Sequence, residues 1–347
     1  MSNNFLELGE WKVQNSPFDN PNLFQNVLTV TTTLNPSFLN KLARLIPADI
    51  FPFTSTTSCE EYPYITSFHL TSFMKVDPTF FQAAKCLQQI VIDDKYDSIG
   101  ASFILEDMNN LKSVTIGTNC LNHQSCQSFV LTNLPLLKTV VIGSQSFGNV
   151  RDVKITDLQS LSTIEIGRNT FSYANTSKTA SVQLNALPQL HVLAFENQSF
   201  MHYPAPVLTQ LPELQSLCFG DDCFGGSSDH SVFLLTGLTA LKTVKFGMNS
   251  FYLYSHCAIQ SLSSLDSISF GMLSFGQSDG DGGLIVKSCN QLRLIDMSVN
   301  CFHYACALLF EGMSMILTVY RRFGSVANLD IRSLGSVQKL HVVYPIE

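Results

Sequence analysis

Residues Leu241 to Phe251 read LKTVKFGMNSF, with apolar side chains at the first, fourth, sixth and eleventh places and Asn249 at the ninth. The same frame returns as LKTVVIGSQSF from Leu137 and as LSTIEIGRNTF from Leu161. Repetition of this kind marks a chain built by stacking one small unit, since a single unit cannot bury its own apolar side. Aligned on the first place, frames start at Ile65, Leu87, Leu111, Leu137, Leu161, Leu190, Leu214, Leu241, Leu265, Leu292, Met315 and Val337. The steps run from 22 to 29 residues, and from Leu111 to Leu292 a step of 24 alternates with a longer one, which makes a pair of coils the larger unit.

Within the frame, apolar places four and six enclose an outward residue, as in Val244-Lys245-Phe246 and Ile164-Glu165-Ile166. That alternation predicts a short β-strand with one buried face. Successive coils bring these strands into parallel register about 4.8 Å apart, giving a sheet on the order of 55 Å long. Glycine follows place six at Gly117, Gly143, Gly167, Gly220, Gly247 and Gly271. A side chain is excluded there either by a special backbone conformation or by the approach of neighbouring coils. Place nine holds Asn119, Asn169, Asn249 and Asn300, with Gln145 and Asp222 in other coils. A short amide at a turn is expected to satisfy backbone groups that would otherwise be buried unpaired. Place eleven returns Leu121, Phe147, Phe171, Phe200, Phe224, Phe251, Phe275 and Phe302 to the core.

A second apolar series lies eight, six and three residues before each frame, as in Val153-Ile155-Leu158, Val182-Leu184-Leu187, Phe233-Leu235-Leu238, Cys257-Ile259-Leu262 and Leu284-Val286-Cys289. It predicts a second, less regular strand on the opposite side of the coil. Pro135, Pro188 and Pro212 fall in the turn that follows, where they interrupt no internal ladder.

The pattern LxxLxLxxNxF resembles the leucine-rich repeat, and LKTVKFGMNSF, LSTIEIGRNTF and LKSVTIGTNCL match its defining segment. The Phe at place eleven and the IG or FG before the turn are most similar to the BspA-like branch found in bacteria and protists. The resemblance covers residues 57 to 347. It implies a mostly β, curved solenoid of about 12 coils with one long parallel sheet, few or no long helices, and protein partners bound through the strand face. Asp97 at an apolar place, Leu273 where Asn is expected and MILTVYRRFG from Met315 depart from the pattern, so the C-terminal coils are expected to be irregular.

Residues 1 to 56 stand outside the repeat. FQNVLTVTTT from Phe24 has strand chemistry, and PSFLNKLARLI from Pro36 has the apolar spacing of a short amphipathic helix. A stack of coils exposes an apolar end, so this segment is expected to be its N-terminal cap, with Trp11 part of the cover.

The composition of the 347 residues narrows the function. Charged residues are only 14% of the chain, too few for long surface helices, and the formal charge is −7 with 20 scattered Lys and Arg. Nucleic acid is therefore not an expected partner, since phosphate binding needs concentrated basic residues. Arg321 and Arg322, the one adjacent arginine pair, are read as a solvated turn. The N-terminal MSNNFLELGEW lacks a basic head and apolar run, and no apolar stretch approaches the roughly 20 residues of a bilayer span. These features lead to the expectation of a cytoplasmic or otherwise intracellular protein without membrane insertion. The ten cysteines form no paired CxxC motif and are expected to be small buried thiols, with Cys120 and Cys126 the one pair that brackets a turn.

No constellation for chemistry is evident. The eight histidines form no HExxH, no GxSxG elbow is present, and no glycine-rich strand-to-helix junction cradles a phosphate. SDGDGG from Ser278 lacks the full calcium-loop pattern. Asn175-Thr176-Ser177 and Asn197-Gln198-Ser199 match the sugar-acceptor rule, a short match that chance alone supplies. The expectation is no cofactor, no metal and no catalysis.

Binding is expected on outward strand positions at the second and fifth places: Lys138 and Val141, Ser162 and Glu165, Lys242 and Lys245, Asp266 and Ser269, Arg293 and Asp296. This surface is mixed and weakly charged, suited to an unidentified protein partner. Met201-His202-Tyr203 and Tyr252-Leu253-Tyr254 are expected to pack the longer turns across coils, with a secondary contact patch as their other reading. The leading expectation is a noncatalytic protein-binding scaffold. The alternative is a structural or self-associating solenoid with contacts through a coil end or edge.

Overall fold

The chain winds as a parallel β-solenoid. The computed structural model describes residues 67–70, 81, 84–97, 99, 101–172, 180–225, 232–276, 283–298, 300–302, 307–311, 317–321, 328–331 and 340–343. The expected cap over residues 1–56, most of the SDGDGG loop, Asn175, Arg322, Cys59 and Cys306 lie outside them. None of the described elements is a helix.

The frame strands are β1 (Ser67–Leu70), β2 (Gln89–Ile92), β4 (Ser113–Ile116), β6 (Thr139–Ile142), β8 (Thr163–Ile166), β10 (Val192–Phe195), β12 (Ser216–Phe219), β14 (Thr243–Phe246), β16 (Ser267–Phe270), β18 (Leu294–Met297), β20 (Leu317–Arg321) and β22 (Leu340–Val343). They form one 12-stranded parallel sheet in chain order. The second side carries two five-stranded sheets. One contains β3 (Phe103–Glu106), β5 (Ser128–Thr132), β7 (Asp152–Thr156), β9 (Ser181–Asn185) and β11 (Val207–Thr209). The other contains β13 (Val232–Thr236), β15 (His256–Gln260), β17 (Gly283–Lys287), β19 (Ala307–Glu311) and β21 (Asn328–Ile331). About nine turns, those built on β2 through β18, are described on both sides, slightly fewer than the 12 coils expected. The turns around β1, β20 and β22 fall largely outside the described residues.

Register follows the frame. Phe68 pairs with Ile90, Ile90 with Val114, Val114 with Val140, Val140 with Ile164, Leu217 with Val244, Val244 with Ile268 and Ile268 with Ile295, each a fourth place. At the C-terminal end the frame slips. Ile295 pairs with Val319 and Val319 with Val342, which moves the last two starts from Met315 and Val337 to Ile316 and Lys339. Neither segment has the trailing Asn that helps fix the frame elsewhere, and Lys339 puts a charge at the first place.

The core is built from aromatic columns. Place-eleven rings stack from coil to coil, Phe147 on Phe171 at 5.0 Å, Phe171 on Phe200 at 4.8 Å and Phe251 on Phe275 at 5.3 Å. Place-six rings Phe195, Phe219, Phe246 and Phe270 form a second stack and meet the first edge-on, as Phe219 meets Phe251 at 4.9 Å. Offset and T-shaped pairs contribute about 0.5–1.5 kcal/mol each beyond the area they bury.

The turn costs strain that this packing offsets. Place nine from Lys95 to Asn300 has φ of 55–63°, and place eleven from Leu121 to Phe302 has φ of 52–58°. A left-handed non-glycine residue costs about 1–2 kcal/mol, whereas burying a Phe side chain gains about 1.5–3 kcal/mol. The conformation turns two N–H groups to opposite neighbours: Asn249 donates to Met272 O of the next coil at 2.7 Å, and Phe251 to Cys223 O of the preceding one at 2.9 Å. Asn suits place nine chiefly because it tolerates this backbone. The Asn249 amide itself donates to the Asp222 carboxylate at 2.7 Å instead of to turn backbone. Leu273 keeps the same fold with φ 58°.

Glycine at place seven answers to close approach. None of the six needs positive φ, but a Cβ on Gly143, Gly247 or Gly271 would lie 2.4–2.5 Å from the preceding coil's backbone. Place ten is a buried row of small donors. Ser250 and Ser274 hydroxyls bond Gly247 O and Gly271 O at 2.8 Å, and the Cys120 and Cys223 thiols reach Asp93 O and Glu196 O at 3.0 and 3.2 Å. The cysteines thus stand in for serine. None of the eight among the described residues is in a disulfide, Cys120 and Cys126 included.

Pro206 explains why the second side divides. Ala186, four places before its frame, donates its N–H to Thr209 O of the next coil at 3.2 Å. Alternate residues of a strand face the same neighbour, so Pro206, eight places before Leu214, faces β13 without an N–H to give. The ladder accordingly stops at β11. Tyr203 and Tyr254 are buried, and their hydroxyls span two coils: Tyr203 donates to Val150 O, and Ala205 N–H donates to the Tyr254 hydroxyl. The expected packing across coils is thus met by Tyr203 and Tyr254, on a two-coil period, while Met201, His202, Tyr252 and Leu253 are half-buried.

Candidate functional site

The outward surface of the long sheet is set by the two-residue alternation of its strands. Places four and six are buried from β1 through β18, so places three and five project outward. Place two precedes each strand and runs alongside the face as a flanking row. Sequence reasoning named this row and place five but missed place three, which adds Thr139, Thr163, Val192, Ser216, Thr243, Ser267 and Leu294. The signal was available, because residues adjoining a buried fourth place on both sides share its opposite face.

The ten candidate residues all reach this surface. Lys138, Ser162, Glu165, Lys242, Lys245, Asp266 and Arg293 are exposed, while Val141, Ser269 and Asp296 are half-buried. Val141 pairs with Glu165, Lys245 with Ser269, and Ser269 with Asp296. They form two groups, one on β6 and β8 and one on β14, β16 and β18. Between them lie His191, Val192 and Ala194 of one coil and Gln215, Ser216 and Cys218 of the next.

Polar contacts along the flanking row are mostly between neighbouring coils. Lys112 and Lys242 donate to the Gln88 and Gln215 side chains at 2.9 and 3.0 Å, and Arg293 lies 3.5 Å from Asp266. Such exposed pairs stabilise by about 1 kcal/mol or less, which leaves their side chains available to a partner. Cys218 is held as a neutral thiol. Burial raises its pKa most, Lys245 opposes that, and Glu196 and Asp221 add to it.

One junction of the face is different. Place-two N–H groups donate to the preceding coil at Lys138 to Lys112 O (2.9 Å), Ser162 to Lys138 O (3.0 Å), Gln215 to His191 O (2.8 Å) and Lys242 to Gln215 O (2.8 Å). Among the described residues, His191 makes no such bond to Ser162. The ladder between β8 and β10 begins only at Glu165 and Ala194, where β10 and β12 pair over four residues. This is the longest step of the repeat, from Leu161 to Leu190. The register itself is kept, since the offset of 29 residues between β7 and β9 is the same between β8 and β10, and only the length of the pairing is reduced. A cavity of about 290 Å³ lies over the seam, lined by Val141, Ile164, Ile166, Ala194, Glu165 and Glu196 among others. Glu196 takes place seven, where Gly167 and Gly220 stand in the adjoining coils.

Among the described residues no group of three or more His, Cys, Asp or Glu is placed to hold a metal, and no helix is long and apolar enough to cross a membrane. No protein-family model matches the chain, and no curated protein matches it significantly. What the arrangement offers chemically is a broad, in-register, mixed polar and apolar surface.

Proposed function

We propose that this chain is a noncatalytic scaffold that binds a protein partner through the outward face of its 12-stranded sheet. The observation that carries this reading is the register: places two, three and five recur in line from coil to coil, so short side chains from many coils make one continuous surface. Interfaces of standard size bury about 800 Å² per partner, an area several adjacent coils supply without a deep pocket. The eleven-residue frame favours membership in the leucine-rich repeat family, on its BspA-like branch, with a second side that is strand instead of helix. An intracellular setting suits the free thiols.

The test is capture of a specific partner by the wild-type chain and by a variant carrying Lys138→Glu, Glu165→Lys and Lys245→Glu. Loss of capture at unchanged thermal stability supports the reading, and unchanged capture moves the interface off this face. A second reading, self-association, is favoured by Val207, Val232 and Leu234, which are 53–55% exposed beside the break in the second side. A monomeric mass independent of concentration by light scattering counts against it.

A further inference from the structure

We infer that the break in the second side is a β-strand addition site, and that the open edge of β13 accepts one extended, uncharged segment of a partner protein. The site lies on the side of the coil opposite the 12-stranded sheet and does not depend on the scaffold reading above. Three observations meet at the break.

The first is an opening of the right width. On the long sheet the two coils that carry β11 and β13 are paired through β12 and β14 over four residues. On the second side they part: nearly all Cα pairs between β11 and β13 are separated by more than 8 Å. Adjacent strands stand about 4.8 Å apart, so two strands with a third between them stand about 9.6 Å apart. Solvent enters here, since Leu208 is 8% exposed whereas Leu184 and Leu235, its counterparts in the adjoining coils, are 1% and 2% exposed.

The second is the direction of the backbone groups. Nine places before their frames, Ser181 N–H donates to Arg151 O and Gly283 N–H to Ser255 O, each in the preceding coil and at 3.0 Å. Five places before their frames, the Thr209 and Lys287 carbonyls accept from Ala186 and Ser261 of the preceding coil at 3.2 and 3.0 Å. Alternate residues of a strand face the same neighbour, so Val232, Leu234 and Thr236 turn both N–H and C=O toward β11. Among the described residues no backbone bond joins β11 to β13. Three donors and three acceptors thus form one edge, the template on which a further strand pairs.

The third is that this edge is unguarded. Free sheet edges are commonly protected by charge or by proline. Pro206 protects the start of β11, but β13, VFLLT, has neither device and turns Val232 and Leu234 outward. Charges stand away from the break: Asp152 and Lys154 on β7, and Lys287 paired with Glu311 at 2.9 Å between β17 and β19. An uncharged segment can pair its backbone with β13 and lay alternate apolar side chains beside Val207, Val232 and Leu234. The opening admits nothing thicker. A second copy of this chain holds its strands in coils, and packed sheets are about 10 Å apart face to face. A helix is about 10 Å across and has already used its backbone groups.

The test uses an acetylated and amidated heptapeptide of alternating threonine and valine, added to the full chain and read by amide hydrogen exchange. In the free chain the Val232, Leu234 and Thr236 amides should exchange fast, and saturating peptide should slow them about tenfold or more. The same peptide N-methylated at its three central residues should not bind, a comparison that needs no variant of the protein. Leu234→Pro removes an N–H that bonds nothing in the structure, and should weaken the peptide about tenfold, equal to about 1.4 kcal/mol. Lys245→Glu, on the long sheet, should leave peptide affinity unchanged, so failure of this site and failure of the scaffold reading are told apart. Equal binding of the N-methylated peptide, or of the unmodified peptide to folded Leu234→Pro, overturns the assignment. Slow exchange of the three amides in the free chain also overturns it. Slowing that grows with protein concentration would put a second copy on the edge, and slowing independent of concentration a segment of the chain itself.

Discussion

Adding one methyl group at residue 247 probes how closely the coils are pressed together. A Cβ there would stand 2.4 Å from the carbonyl carbon and 2.6 Å from the oxygen of Gly220. Ordinary contact begins near 3.4 Å, so the two backbones must part by about 1 Å, and no flexible side chain is in the way to yield instead. The bond from Gly247 N–H to Phe219 O, now 2.7 Å, would stretch beyond useful length, and the adjoining turn bond from Asp222 N–H to Met248 O, now 2.8 Å, would be disturbed. Each contributes about 1 kcal/mol net, and the Phe219–Phe246 stack at 5.3 Å would lose part of its about 1 kcal/mol. Gly247→Ala should therefore cost about 3 kcal/mol. The control is Gly237→Ala, where no atom lies within 4 Å of the added methyl and only the φ of 77° is unfavourable, at about 1 kcal/mol. Urea unfolding followed by far-ultraviolet circular dichroism compares the two. Because solenoid stability is a sum over neighbouring repeats, the first variant should also broaden or split the transition at the weakened junction. Equal and small losses in both would refute close backbone approach as the reason for glycine at this place.

Two further perturbations test the core. The Cys223 thiol is pushed up to about 12 by burial, so the folded chain keeps its proton while the unfolded chain loses it above about pH 9. Its stabilising contribution is thus complete below pH 9 and is lost as pH rises toward 12, at up to about 1.4 kcal/mol per pH unit. Cys223→Ser, the residue that holds this place at Ser199 and Ser250, should reduce the alkaline loss seen in urea midpoints under reducing conditions, and an unchanged loss contradicts the assignment. Tyr203→Phe removes the donor to the buried Val150 carbonyl and should cost about 1–2 kcal/mol. A neutral effect would show that the two-coil latch contributes nothing to stability.

The long sheet was legible because most frames from Leu111 to Leu292 carry their own register marks. An apolar first place, an alternating pair and a turn residue together tolerate no one-residue slip, since a slip turns every side chain to the wrong face. Where those marks thin out, after Leu292, the expected starts at Met315 and Val337 miss by one and two residues. Other features are not written in any one coil. Whether glycine at place seven serves conformation or clearance depends on the distance to the next coil's backbone. The division of the second side falls at Pro206, which has no N–H to give to β13, an effect that appears once the direction of each N–H is known. The candidate residues lie on the outward side of the long sheet, as their alternation implies, but the shortened pairing between β8 and β10 is not marked in any frame. The sequence marks the long step after Leu161 without showing that the frame strands on its two sides pair over two residues only.

The most direct test of the account is a footprint of the bound partner on the folded chain, obtained by hydrogen exchange or crosslink mapping of a captured complex. Protection is predicted along β6, β8, β10, β12 and β14. Protection confined to the second side, around Val207, Val232 and Leu234, would contradict it.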